Sequence, residues 1–157
     1  MRTTSWALIS VLALSAVGCG GDSATAPATR YDTVAGSYGG PMIGITQGVA
    51  LNSLFSLTVT QNAGTLGGTY GLSGTLNNGI AAVDVAGTGT ITGTIESGTN
   101  PSVNFTVRPG FCPSRTAQFS GTYDSTNHRM TMTGPVQFFD QACSVVLTYQ
   151  MTFILNR

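Results

Sequence analysis

From Ser37 onward the chain alternates apolar and polar residues with a period of two. Phe55, Leu57 and Val59 share one side, with Ser56, Thr58 and Thr60 on the other. Leu66, Tyr70, Leu72 and Leu76 oppose Thr65, Thr69, Ser73 and Thr75; Val85, Ile91 and Ile95 oppose Thr88, Thr90, Thr92 and Thr94. Val103, Phe105 and Val107 oppose Asn104 and Thr106; Phe119 and Tyr123 oppose Gln118, Ser120 and Thr122. Met130 and Met132 oppose Arg129, Thr131 and Thr133, and Leu147, Tyr149, Met151, Phe153 and Leu155 oppose Thr148, Gln150 and Thr152. This is the period of strands with one buried face, and threonine is a β-former that keeps the other face wet.

With a first strand near residues 37–46 the pattern predicts eight strands and no helix after the N-terminal segment. Turn residues at Gln61-Asn62-Ala63-Gly64, Leu76-Asn77-Asn78-Gly79 and Asp124-Ser125-Thr126-Asn127 predict short connections between antiparallel neighbours. The expected fold is all-β, an eight-stranded antiparallel up-and-down meander barrel, because closure removes the edges along which sheets aggregate. A two-sheet β-sandwich is the alternative. Gly-Thr pairs recur, among them those beginning at positions 64, 68, 74, 87, 93 and 121, too irregularly for a solenoid repeat. Gly68, Gly87, Gly89, Gly93, Gly121 and Gly134 fall on the apolar face, where glycine weakens a strand. Tight coiling of a small barrel accounts for them, as does space for aromatic rings or a ligand.

The N-terminal segment differs. Arg2 precedes an apolar run from Trp6 to Val17, and Ala16-Val17-Gly18-Cys19 looks like the cleavage and lipidation site of a bacterial lipoprotein. The run is short of the ~20 residues a bilayer span needs. The alternative is an ordinary secretory signal with Cys19 incidental. The expected organisation is a signal peptide at 1–18, a lipidated flexible tether at 19–33 and a barrel domain at 34–157, the tether being small, polar and proline-containing. Lipid on Cys19 would tie the protein to the cell envelope. Gly20 in place of Asp after the cysteine resembles the sorting signal for the outer membrane of a two-membrane host.

Assigning Cys19 to lipid leaves Cys112 and Cys143 as a pair in an exported chain, where disulfides persist. Two buried thiols, or half of a metal site, are the alternatives; no further Cys or His stands near enough to complete zinc ligation. In a meander the fifth-to-sixth and seventh-to-eighth connections, which carry these cysteines, emerge at the same end.

Charge narrows the chemistry. The chain has six basic and six acidic residues, and every base is arginine. Without clustered cations it is a poor nucleic-acid partner, and without lysine it cannot form a P-loop or a Schiff base. His128, with Asp124 and Ser125 on one turn, lacks the convergence a triad needs, and Glu96 has no partner carboxylate. No enzyme and no cofactor are expected.

Gly36-Ser37-Tyr38 resembles the Gly-x-Trp opening of lipocalins, with tyrosine replacing tryptophan. Arg157 is the candidate for the arginine that packs over that opening in the family. Residues 55–61 and Gly64 to Tyr70 are similar to the second and third strands of avidins, and Phe119-Ser-Gly-Thr-Tyr123 to the sixth. The resemblance spans most of residues 34–155 and implies a calycin-type barrel with a ligand site at its mouth. Avidins line that site with tryptophans; the only tryptophan here, Trp6, lies in the signal segment, which argues against biotin.

Two functions follow as expectations. One is a binding module that takes a small apolar or amphipathic ligand among Tyr38, Phe55, Tyr70, Phe105, Phe119, Tyr123, Met132 and Tyr149. Arg108 and Arg115, flanking Cys112, could meet an anionic group. The other is an interaction protein with those residues as a filled core, meeting an envelope partner through its loops. Phe138-Phe139 is expected to plug the barrel end or form a small apolar patch.

Overall fold

The computed structural model describes residues 29–157. Cys19, the apolar run and residues 19–28 of the expected tether lie outside the described residues. Eight strands follow in order: β1 Gly36–Thr46, β2 Val49–Asn62, β3 Thr65–Asn77, β4 Ala82–Ile95, β5 Ser102–Pro109, β6 Ala117–Asp124, β7 Arg129–Phe139 and β8 Val145–Asn156. Each pairs antiparallel with the next, and β8 returns to β1 to close a barrel. The sandwich alternative is thereby excluded. A meander joined by short turns leaves every strand beside its sequence neighbour, so closure needs only the last pairing. That seam is thin, with Gly39↔Asn156 as its one registered pair.

The alternation predicted from sequence is the alternation observed. β2 is the cleanest case: Leu51, Ser53, Phe55, Leu57 and Val59 are buried, while Asn52, Leu54, Ser56, Thr58 and Thr60 are exposed. Side chains from all eight strands form one core, and only about 10 Å³ of free space remains among Leu57, Ile91, Phe105, Met132 and their neighbours. The glycines do both things expected of them. A Cβ on Gly121 would run into the carbonyl of Thr131, so the adjacent strand lies against it. A Cβ on Gly134 would stand 2.5 Å from the Phe119 ring, so there the missing side chain is replaced by an aromatic one.

The two ends differ. The end at which β1 begins is sealed by the residues before it. Tyr38 Oη donates to the Val34 carbonyl (2.8 Å) and Tyr123 Oη to that of Thr33 (3.2 Å). Gln61 Oε1 accepts from the Val34 amide, and Gln61 Nε2 donates to the Asp32 carbonyl. Val34 is fully buried, and the Tyr31 ring lies against Gly64. The folded unit therefore takes in Tyr31, Asp32 and Thr33, three residues ahead of the boundary drawn from composition. The opposite end carries the loops after β1, β3, β5 and β7, and it is open.

Candidate functional site

The open end owes its shape to two short strands. β5 and β6 have eight residues each, against fourteen in β4 and eleven in β7. Pairing of β4 with β5 stops at Gly89↔Pro109, and pairing of β6 with β7 stops at Ser120↔Thr133. Beyond those points the wall has a notch between β4 and β7, overhung by the 110–116 loop.

A bridge holds that overhang in place. Cys112 and Cys143 form the expected disulfide, with Cα atoms 5.7 Å apart. Arg115 Nε donates to the Cys143 carbonyl (2.8 Å), a second tie between the two loops. The 140–144 loop is braced in turn by Asp140, whose Oδ1 accepts from the amides of Ala142 and Ser144.

Behind the notch lies a cleft of about 340 Å³, lined by Tyr70, Leu72, Gly87, Phe111, Gln137 and Phe138 among others. It adjoins a recess of about 60 Å³ that reaches Met42, Phe55, Val107 and Phe119. Tyr70 stacks on Phe55 (5.6 Å, 18° between planes), and Phe153 sits edge-on to both Phe55 and Phe119, so the recess has an aromatic floor. Phe138 packs edge-on against Tyr149 and forms a wall. A Cβ placed on Gly87 would meet nothing within 4 Å. This glycine is neither crowded by a strand nor replaced by a ring; it borders free space.

The lining is neutral. Among the described residues no Asp, Glu, Arg or His side chain borders the cleft or the recess; polar character comes from Gln137, Thr88, Thr116 and the Tyr70 phenol. Burial pushes the Tyr70 phenol above its ordinary value, which keeps it a neutral hydrogen-bond donor. Such a surface can bury an apolar group and offer it a few uncharged hydrogen bonds.

Of the eight apolar residues proposed to line a ligand site, the structure brings Phe55, Tyr70 and Phe119 to it. Phe105 and Met132 lie in the packed middle, and Tyr149 stands behind Phe138. Tyr38 and Tyr123 are at the sealed end, edge-on to each other, and burial pushes the Tyr38 phenol upward. Arg108 points outward from β5 and Arg115 braces the bridge, so neither borders the cleft. His128 is an exposed turn residue, and its Nδ1 meets Tyr123 Oη at 3.1 Å. Asp124 holds its own turn, accepting from the Thr126 and Asn127 amides and from Asn127 Nδ2. Those bonds, led by the one from the Asn127 side chain, hold its carboxyl below the usual range.

Gln137, Pro109 and Phe111 were not singled out from sequence as lining residues. Gln137 shares a strand end with the Phe138-Phe139 pair, and that pair was the only signal for it. Among the described residues no group of His, Cys, Asp and Glu could hold a metal ion, and no helix is long and apolar enough to cross a membrane. No family model, curated protein or solved structure matches the chain significantly.

Proposed function

We propose that this protein is a non-catalytic, lipocalin-like binding module of a bacterial cell envelope, anchored by lipid on Cys19 and capturing an apolar group in the cleft at its open end. The observation that carries the reading is the cleft itself: about 340 Å³, bordered by aromatic rings and uncharged polar groups. That volume is within the range of small-ligand sites. Arg157 adds support for the lipocalin likeness, since its guanidinium lies against Gly36, two residues before Tyr38. The chain enters the barrel at the sealed end, so an anchored molecule would carry its cleft on the far side from its tether. Among the described residues the lower barrel is filled, which leaves its mouth as the place for a ligand inside it.

A titration with N-phenyl-1-naphthylamine, an uncharged apolar fluorophore, tests the cleft. The purified protein should enhance its emission saturably, and Gly87→Phe, which places a ring in the free space, should weaken the probe by tenfold or more. Equal binding by the variant would remove the cleft from consideration. The anchor has its own test: Cys19→Ser should move the protein from the membrane to the soluble fraction of its host, and an unchanged distribution would discard lipidation.

A further inference from the structure

The notch leaves part of β4 with a neighbour on one side only. From Ala82 to Gly87 the strand pairs with β3 along its whole length, while β5 reaches no farther than Gly89 and a last amide bond from Gly110 to the Thr88 carbonyl (2.8 Å). In an antiparallel ladder the backbone groups of alternate residues point to alternate neighbours. The Thr88 bond shows that even-numbered residues of β4 address the β5 side, and the Ile95 amide bonded to the Gly64 carbonyl shows that odd-numbered ones address β3. The N–H and C=O groups of Ala82, Asp84 and Ala86 therefore point into the notch, with no strand opposite them among the described residues. This edge and the cleft are one feature, since Ala86, Gly87 and Thr88 border the cleft.

We infer that this edge takes an extended polypeptide as an added strand, which delivers an apolar side chain into the cleft; the inference rests on the binding reading above. Free backbone groups supply the pairing, and a pocket beside them reads alternate side chains, which are the two parts of strand addition. Charge selects the occupant. Asp84 is exposed and is the only charged residue on the free stretch. Antiparallel pairing of this edge with a second copy about its centre would bring two Asp84 carboxylates onto one face as opposite or diagonal neighbours. With no cation on the edge to offset them, that arrangement is unfavourable. A strand with a basic residue opposite Asp84 meets the edge without that cost. Residues opposite Val83, Val85 and Gly87 share their inward side, and the one opposite Gly87 enters the space beside Tyr70, Phe111 and Phe138. The partner is thus a segment that alternates apolar and polar residues, with arginine or lysine at one polar position.

The test uses a fluorescently labelled, end-blocked peptide, Phe-Thr-Val-Arg-Val-Thr, which in antiparallel register sets its Phe opposite Gly87 and its Arg opposite Asp84. It should bind by fluorescence anisotropy. Methylating the Arg backbone nitrogen, which would face β4, should weaken it tenfold or more. Methylating the Val nitrogen just before that Arg, which would face away, should change it less than twofold. In the protein, Asp84→Pro removes an edge N–H and the charge together, and should lose the peptide while keeping N-phenyl-1-naphthylamine. Asp84→Asn should weaken the peptide about threefold and flatten its salt dependence. A peptide that fails to bind, or binds regardless of which nitrogen is methylated, overturns the added strand but leaves the cleft reading intact if the fluorophore still responds to Gly87→Phe. A fluorophore indifferent to Gly87→Phe overturns the cleft reading itself.

Discussion

Breaking the bridge between Cys112 and Cys143 should cost roughly 3–4 kcal/mol of unfolding free energy by the chain-entropy estimate for a loop of this length. The bridge spans a sequence separation of 31, so the unfolded chain without it regains the freedom of that whole loop. The native state gives little back. Cys112 is fully buried, and the Arg115 bond to the Cys143 carbonyl is too exposed to hold the loops together alone. The clean variant is the double Cys112→Ala, Cys143→Ala chain, because a serine at the buried position would add an unpaired hydroxyl. Urea denaturation should show a lower midpoint for this variant and for the reduced wild type, by similar amounts. Dithiothreitol that left the wild-type midpoint unmoved would mean that the bridge is absent in solution or contributes nothing. Function should respond too. The 110–116 loop is the roof of the notch, and Phe111 sits beside Cys112, so freeing the loop should weaken N-phenyl-1-naphthylamine even where the barrel remains folded.

The barrel was legible in the sequence because its signal is local. Phe55-Ser-Leu-Thr-Val reads as a half-buried strand from five consecutive residues, and short turns leave few ways to connect eight such strands. The disulfide was legible for a topological reason, since the loops bearing both cysteines were bound to share an end. What stayed hidden depends on neighbours. Val85-Ala-Gly-Thr-Gly-Thr-Ile91 carries no break in its pattern, yet β5 covers only its second half, and that mismatch makes the notch. Nothing in β4 itself records how far β5 extends. The grip on Asp32 to Val34 was hidden in the same way: a small, polar segment reads as linker, and the groups that fasten it, Gln61 and Tyr123, lie far away in sequence. Sequence therefore placed aromatic residues inside the barrel without saying which end each would serve. Tyr38 and Tyr123 went to the seal and Phe55 and Tyr70 to the cleft.

Gly87 and Gly121 make the sharpest contrast, because both stand in strands, both precede threonine and both face inward. Alanine should have opposite effects at the two. At Gly121 the new methyl group would overlap the Thr131 carbonyl on β7 and stand 2.8 Å from the Met132 sulfur. The thioether can swing aside, but the carbonyl belongs to a paired backbone, so β6 and β7 must separate. Overpacking of a core typically costs 1–3 kcal/mol and occasionally more. With backbone as the obstacle, Gly121→Ala should lose about 3 kcal/mol, visible as a lower urea midpoint or as failure to accumulate. At Gly87 no atom of the described residues lies within 4 Å of the added carbon. Removing glycine from a strand should then gain about 0.5–1 kcal/mol, since glycine gives up more freedom on folding than alanine does. A stabilised Gly121→Ala would show that the strands are not held as close as the barrel requires. A destabilised Gly87→Ala would show that the space at the mouth is already filled. Two glycines that the sequence cannot tell apart thus separate the residues that coil the barrel from the one that leaves it open.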